Sequence, residues 1–224
     1  FIECMERGAK LVTISPEYSP PATKSDYWIP IRPQTDAALF LGITRLLIDK
    51  KQYDENFVLQ FTDFPLLVRT DNLKRLRAHE IFPNYQLGLS PDGPSFKYQG
   101  LKKEQYEKLG DFVIWDKVKN QPAAITRDDV GAQLSTKGLQ PALDGSFKVV
   151  TVDGKEIEVM TLFSLYKLHL KDYDLDSVVE ITHAPKDLII QLAEDIATIK
   201  PAALHQGEGI NHWFHATQMN RAAY

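Results

Sequence analysis

Residues 29–50 read IPIRPQTDAALFLGITRLLIDK, and the fold class turns on this stretch. An extended run ends at Pro33, a polar triplet Gln34-Thr35-Asp36 follows, and an apolar helix is predicted from Thr35 to about Asp49. Leu39, Ile43, Leu46 and Leu47 recur at helical spacing and give that helix a face to bury. Thr35 is placed to cap the exposed amides, and Asp36 occupies the first turn, where a carboxylate complements the positive helix end. Just upstream, AKLVTIS (9–15) is a short apolar strand ending at Ser15-Pro16. Its continuous apolar character suits a parallel sheet covered on both faces. A Pro/Ser-rich loop at 17–28 joins the two. Strand, loop, extended segment and helix in this order suggest half of a nucleotide-binding α/β domain, Rossmann-like, with a parallel sheet.

Further out, FIECMERG (1–8) reads as the last turns of a helix closed by Gly8, and YDENFVLQFT (53–62) as a second, shorter helix. From Pro65 to Val159 the periodicity fades and Gly, Pro, Asp and Lys become frequent. The clear element there is FKVVTVDGKEIEV (147–159), two alternating strands around Asp153-Gly154, a two-residue hairpin turn. Regularity returns with MTLFSLYKLHL (160–170), a helix with Leu162, Leu165, Tyr166 and Leu168 on its apolar side. APKDLIIQLAEDIATI (184–199) follows, opened by Pro185, with Leu188, Leu192 and Ile196 on one face. KPAALHQGEGIN (200–211) is predicted as a short strand, a Gly-x-Gly turn and a new helix. The expected organisation is therefore an α/β domain in two parts, 1–64 and 160–224, split by a loop-rich insertion with a β-hairpin over 65–159. Phe1 at one end and a helix in progress at the other lead us to expect an internal piece of a longer protein.

Composition narrows the function. The formal net charge of -4 provides no basic stripe for nucleic acid. No apolar run approaches the roughly 18 residues of a membrane span. A single cysteine, Cys4, excludes an internal disulfide framework and a Cys-x-x-Cys metal site.

Four places carry candidate chemistry. Ser15 and Pro16 end the first strand, where α/β sheets hold their ligands, although a plain strand exit explains them equally well. Asp36 is either a first-turn acid stabilising its helix or a carboxylate accepting two hydrogen bonds from a guanine edge. Gly207 and Gly209 allow close backbone approach before a helix whose free amides can hold phosphate, yet the longer G-x-G-x-x-G pattern is unmet. Asn211 and His212 stand beside them with His205 and His215; these histidines lack the spacing of a zinc protease, and a structural or substrate-facing role is expected. The acidic runs DDV (128–130) and KDYDLD (171–176) read as surface turns. No residue is singled out as catalytic or as a metal ligand.

Several of these motifs together resemble one family. GAKLVTISPEYSPPATKSDYWIPIRPQTDAAL (8–39) is similar to a segment of the molybdopterin oxidoreductases of the DMSO reductase family, which reads G-x-K-x-V-x-I-(D/S)-P and then A-D-x-W-(I/L)-x-I-R-P-G-T-D-A-A-L. FVIWDKVKNQP, EITHAPKDLIIQLAEDIA and HQGEGINHWFHATQMNRA fit in the same order. The resemblance extends over nearly the whole chain and is greatest to the respiratory branch, the nitrite oxidoreductase alpha subunits and nitrate reductase catalytic subunits. It implies a molybdenum bis(molybdopterin guanine dinucleotide) cofactor, with Asp36 recognising a guanine and Ser15-Pro16 near the nucleotide. Gly207, Gly209, Asn211 and His212 would line the cofactor. Gln34 departs from the pattern, which has glycine there. The resemblance further implies a 4Fe-4S cluster elsewhere in the parent subunit. It implies an iron-sulfur beta subunit, a membrane-anchoring or haem gamma subunit, and a membrane-associated complex, on the periplasmic or the cytoplasmic face. The implied reaction interconverts nitrite and nitrate; reduction of chlorate, perchlorate or selenate, and a noncatalytic nucleotide-binding module, are the alternatives.

Overall fold

Helix α2, Asp36–Asp49, is the element around which the first half of the chain folds. Six consecutive residues, Ala38 to Ile43, are buried, so this helix is enclosed on more than one face and needs several neighbours. In the computed structural model, which describes residues 2–85, 111–127 and 129–224, those neighbours come from both ends of the sequence. The chain divides into two units, residues 1–53 with 170–224, and residues 54–169.

In the first unit, a short helix α1 (Ile2–Glu6) ends at Gly8, whose φ of 88° is the left-handed value expected of a closing glycine. Strand β1 (Val12–Ser15) then pairs in parallel with β2 (Tyr27–Pro30), in the register Val12↔Tyr27 to Ser15↔Pro30. Among the described residues the parallel pairing is confined to these two strands. The fold is thus mixed α/β with small sheets. Around α2 pack a helix at Leu175–Thr182, another at Lys186–Thr198 and a third at Ala216–Ala223. Ile29, Ile31, Leu39, Phe40, Ile43, Val178 and Ile189 form the shared core. Gly42 permits the closest of these contacts, since a Cβ there would lie 2.6 Å from Val178 Cγ2. Asp195 pins the sheet to the 186–198 helix: it accepts from Tyr27 Oη at 2.8 Å and from Lys10 Nζ at 2.9 Å. Burial, reinforced by this carboxylate, holds the Tyr27 phenol above its ordinary pKa.

The second unit holds antiparallel sheets. Strands β3 (Leu67–Arg69), β6 (Ser146–Val150) and β7 (Glu156–Thr161) form a sheet in the order β3-β7-β6, and β4 (Phe112–Asp116) pairs with β5 (Gln121–Ile125). Trp115 and Phe147 stack with centroids 4.2 Å apart. The boundaries lie outside the expected 65–159. The helix at Glu55–Phe61 joins this unit through Gln60, whose carbonyl accepts from Gly131 N at 3.1 Å. The helix at Leu162–His169 joins through Leu162 N and Phe163 N, which donate to Leu66 O and Phe64 O. Helical periodicity reveals these helices but not the side on which they pack. Residues 86–110 of the expected insertion, and Asp128 of the DDV run, lie outside the described residues.

Three local expectations need correction. The 146–161 hairpin forms, but its loop has three residues: Gly154 N donates to Thr151 O at 2.8 Å, Thr151 N to Lys155 O at 2.9 Å, and Gly154 takes φ 82°. That is a turn followed by a left-handed glycine bulge, the alternative to a two-residue turn. In the Leu162–His169 helix the fully buried side chain is Phe163, whereas Leu168 is exposed. Finally, residues 200–206 form no strand. Pro201 has no amide to donate, and Pro201 to His205 are all exposed, with no neighbouring strand to pair.

Candidate functional site

The parallel register places Ser15 beside Pro30, so the carboxyl ends of β1 and β2 share one edge. Ligands of α/β sheets are held at this kind of edge. Ser15 Oγ donates to Glu17 O at 2.7 Å and accepts from the Trp28 indole at 3.1 Å, and the same indole reaches Ser15 O at 3.0 Å. The hydroxyl therefore shapes the exit turn at Pro16. Trp28, packed edge-on against Tyr18, is the side chain that fixes it.

The loop from Ile31 to Thr35 leaves the same edge. Ile31 is buried, and Arg32 N donates to Thr182 O at 2.7 Å, fastening the loop to the 175–182 helix. The Arg32 guanidinium meets the ring of His183, which ends that helix in a left-handed conformation. Thr35 does not cap α2 as expected: its hydroxyl donates backwards to Arg32 O at 2.6 Å and closes the loop. Gln34 stands at φ 70°, a conformation glycine adopts freely. The residue that departs from the family pattern thus keeps the backbone a glycine would have.

Asp36 begins α2. Its carboxylate is half-buried and has no ion pair among the described residues, and burial raises its pKa above the ordinary value, opposed by its own backbone amide. A desolvated carboxylate without a cation is an acceptor of donors, the arrangement that a pair of parallel N–H groups would satisfy.

The glycine segment lies on the far side of the sequence but in the same unit. Gly207 precedes a single helical turn, Glu208–Asn211. Neither Gly207 nor Gly209 has positive φ, and a Cβ at either would meet no atom within 4 Å. Backbone geometry therefore does not demand glycine at either position. Asn211 Oδ1 accepts from Asn220 Nδ2 at 2.9 Å, leaving the Asn211 amide group to donate elsewhere. His212 closes the turn. The following Ala216–Ala223 helix packs on α2 through Met219 and Ala223. Helix α2 is thus the common support of both candidate sets. The hydrogen bond of Asn211 runs to Asn220, not to Ser15, Pro16 or Asp36.

Sequence reasoning missed Trp28, Arg32, His183 and Gln206. Both polar atoms of the Gln206 side chain are buried without a hydrogen-bond partner. No local signal marks Arg32 with His183, because 151 positions separate them. In the second unit a cavity of about 340 Å³ is lined by Phe112, Arg75, Asp63 and Asp129 among others. Of its charged lining, Arg75 pairs with Asp63 at 2.7 Å and Asp129 with Lys137, and Arg127 lies over the Phe112 ring. No group of three or more His, Cys, Asp or Glu among the described residues is arranged to hold a metal, and no described helix is long and apolar enough to cross a membrane.

Comparison with known proteins gives a family and a fold. The family described as "Molybdopterin oxidoreductase" matches residues 2–224. The perchlorate reductase subunit alpha of Dechloromonas aromatica (strain RCB) is 30% identical over 228 residues, which cover 99% of this chain and 24% of that subunit. The respiratory nitrate reductase subunit alpha of Haloferax mediterranei is 30% identical over 226 residues, covering 99% of this chain and 21% of the relative. The chain thus spans less than a quarter of the length of these curated relatives. Among solved structures, acetylene hydratase from Pelobacter acetylenicus superposes with a TM-score of 0.51 at 19% identity, over 99% of this chain and 17% of the hydratase, a likeness of fold.

Proposed function

This chain belongs to the molybdopterin oxidoreductase family, and from that premise we propose that it is an internal part of an oxyanion-converting catalytic subunit, one that interconverts nitrite and nitrate. The β1–β2 pair would be part of a wider, Rossmann-like parallel sheet completed by the rest of the parent subunit. The observation that carries the reading is Asp36: a half-buried carboxylate with no cation among the described residues, at the carboxyl edge of a parallel strand pair.

The residues fit a molybdopterin guanine dinucleotide. The Asp36 oxygens would accept from guanine N1–H and its 2-amino group, two donors side by side. Gln34, at its left-handed φ, and the Thr35–Arg32 closure hold the loop that presents this carboxylate. Ser15 and Pro16 would border the nucleotide through the turn that Trp28 fixes. Gly207 and Gly209 would leave room for the cofactor against the backbone, with the Asn211 amide and His212 facing it. When bound, the cofactor supplies two-electron oxygen-atom chemistry: nitrite and water give nitrate, two protons and two electrons. The chain's share is to bind and orient. The electrons would leave through a 4Fe-4S cluster elsewhere in the parent subunit to an iron-sulfur beta subunit, in a complex attached to a membrane through a further subunit.

The choice of nitrite and nitrate rests on the motif resemblance and on the nitrate reductase relative. Perchlorate is the second reading, since the perchlorate reductase relative has the same identity. Purified full-length subunit, assayed for nitrite oxidation and for reduction of nitrate, chlorate and perchlorate, decides between them. We expect kcat/KM to be highest for the nitrite/nitrate couple; a higher value for perchlorate or chlorate would overturn that choice, and the absence of molybdenum and guanine from the subunit would overturn the cofactor.

A further inference from the structure

Gln206 is the described residue whose side chain has both its donor and its acceptor buried and unpartnered, Nε2 and Oε1 alike. The other such atoms, among them Gln52 Oε1 and Asp116 Oδ2, are single atoms of their side chains. A buried amide without partners destabilises a protein, because water is lost and nothing replaces it. A ligand that supplied both hydrogen bonds at once would remove that penalty. The amide needs a group with an N–H adjacent to a C=O, so that Nε2 donates to the carbonyl while Oε1 accepts from the N–H. Such a lactam edge occurs in the 2-amino-4-oxopyrimidine ring that pterin and guanine share. Gln206 directly precedes Gly207, and neither Gly207 nor Gly209 brings protein atoms close to where a Cβ would stand. The backbone at Gly207 and Gly209 is therefore open to a flat ring, and the amide, closed off from solvent here, would pair with that ring once the atoms covering it are displaced. Asp36 differs in kind, as it offers acceptors alone and suits an edge with two donors.

We propose that Gln206 is a cofactor-binding residue, pairing through its side-chain amide with the lactam edge of a pterin or guanine ring. The proposal rests on the cofactor assignment above and adds a residue to it.

The test uses the full-length subunit and two readouts besides activity. One is the rate of cofactor release, followed through the fluorescence of the oxidised pterin. The other is the thermal unfolding of the subunit prepared without cofactor. Gln206→Leu should release cofactor roughly tenfold faster or more, since the ring's lactam edge loses both partners. The same variant without cofactor should unfold at the same or a higher temperature, because two buried unpaired atoms are gone. Gln206→Met serves in the same way if the leucine variant does not fold. Loading with molybdopterin alone and with its guanine dinucleotide separates the two rings: an equal loss with both forms assigns the pterin, and a loss confined to the dinucleotide assigns the guanine. Unchanged release with both forms would overturn the proposal. So would cofactor-free subunit destabilised as much as the loaded one, which would mean that the amide serves packing. Wild-type subunit that holds no pterin would instead overturn the cofactor assignment itself.

Discussion

Asp36 and Gln34 show how a single residue's surroundings set its chemistry. Burial raises the Asp36 pKa from an ordinary value of 3.8, so the cofactor-free folded state binds this proton more tightly than the unfolded state. The stability this group contributes is therefore present at low pH and declines as pH rises from 3.8 through the folded value. Guanine donors act in the opposite direction, since they require the ionised form. Cofactor release from the wild-type subunit should accelerate as pH falls through the Asp36 titration, whereas release from Asp36→Asn should be fast and flat with pH; release rates measured over a pH series that runs from neutral down to 3.8 check this. Gln34 has a positive φ of 70°, which a side chain disfavours by about 1–2 kcal/mol, against about 0.5–1 kcal/mol of extra chain entropy lost by glycine. Gln34→Gly should thus stabilise the protein by ~0.5–1 kcal/mol, read from denaturant unfolding. At this scale the sequence was partly legible. Asp36 and the glycines stand out as candidates because residue type and position suffice to name them. Arg32, His183 and Gln206 are not, because their significance lies in which distant atoms surround them, or fail to.

The elements were more legible than their partners. Apolar spacing located α2 and the 186–198 helix, and the faces named for burial, Leu39 with Ile43 and Leu188 with Leu192 and Ile196, do face the core. Spacing could not show that Val178 packs onto Gly42, a contact across 136 positions. It also could not distinguish a strand from an exposed segment at 200–206, where the apolar letters are present but no partner strand is. Gly42→Ala gains about 1 kcal/mol of helix propensity, but its Cβ would stand 2.6 Å from Val178 Cγ2. Overpacking of this kind costs about 1–3 kcal/mol. The variant should lose up to ~2 kcal/mol, and Val178→Ala in the same chain should recover part of the loss. Strictly additive losses in a double-mutant cycle would show that the two positions do not press on each other.

For the whole molecule, one unit carries every candidate cofactor residue, and both ends of the chain are needed to build it. Residues 54–169 make a second unit from antiparallel sheets, with its own cores. The order of motifs was enough to read the family from sequence, because it survives without knowledge of packing. The width of the sheet was not readable, since only β1 and β2 of a parallel sheet lie among the described residues. The proposed hold of the loop before α2 on a guanine through Asp36 is tested by the molybdenum and guanine content per purified full-length subunit, for wild type and Asp36→Asn at neutral pH. Loss of one of the two charge-assisted hydrogen bonds, its acceptor turned into a donor, weakens retention by about 1.5–3 kcal/mol, or roughly ten- to hundredfold. We expect an Asn variant that folds as well as wild type, with guanine and molybdenum falling together; wild-type content of both in that variant would rule out this role for Asp36.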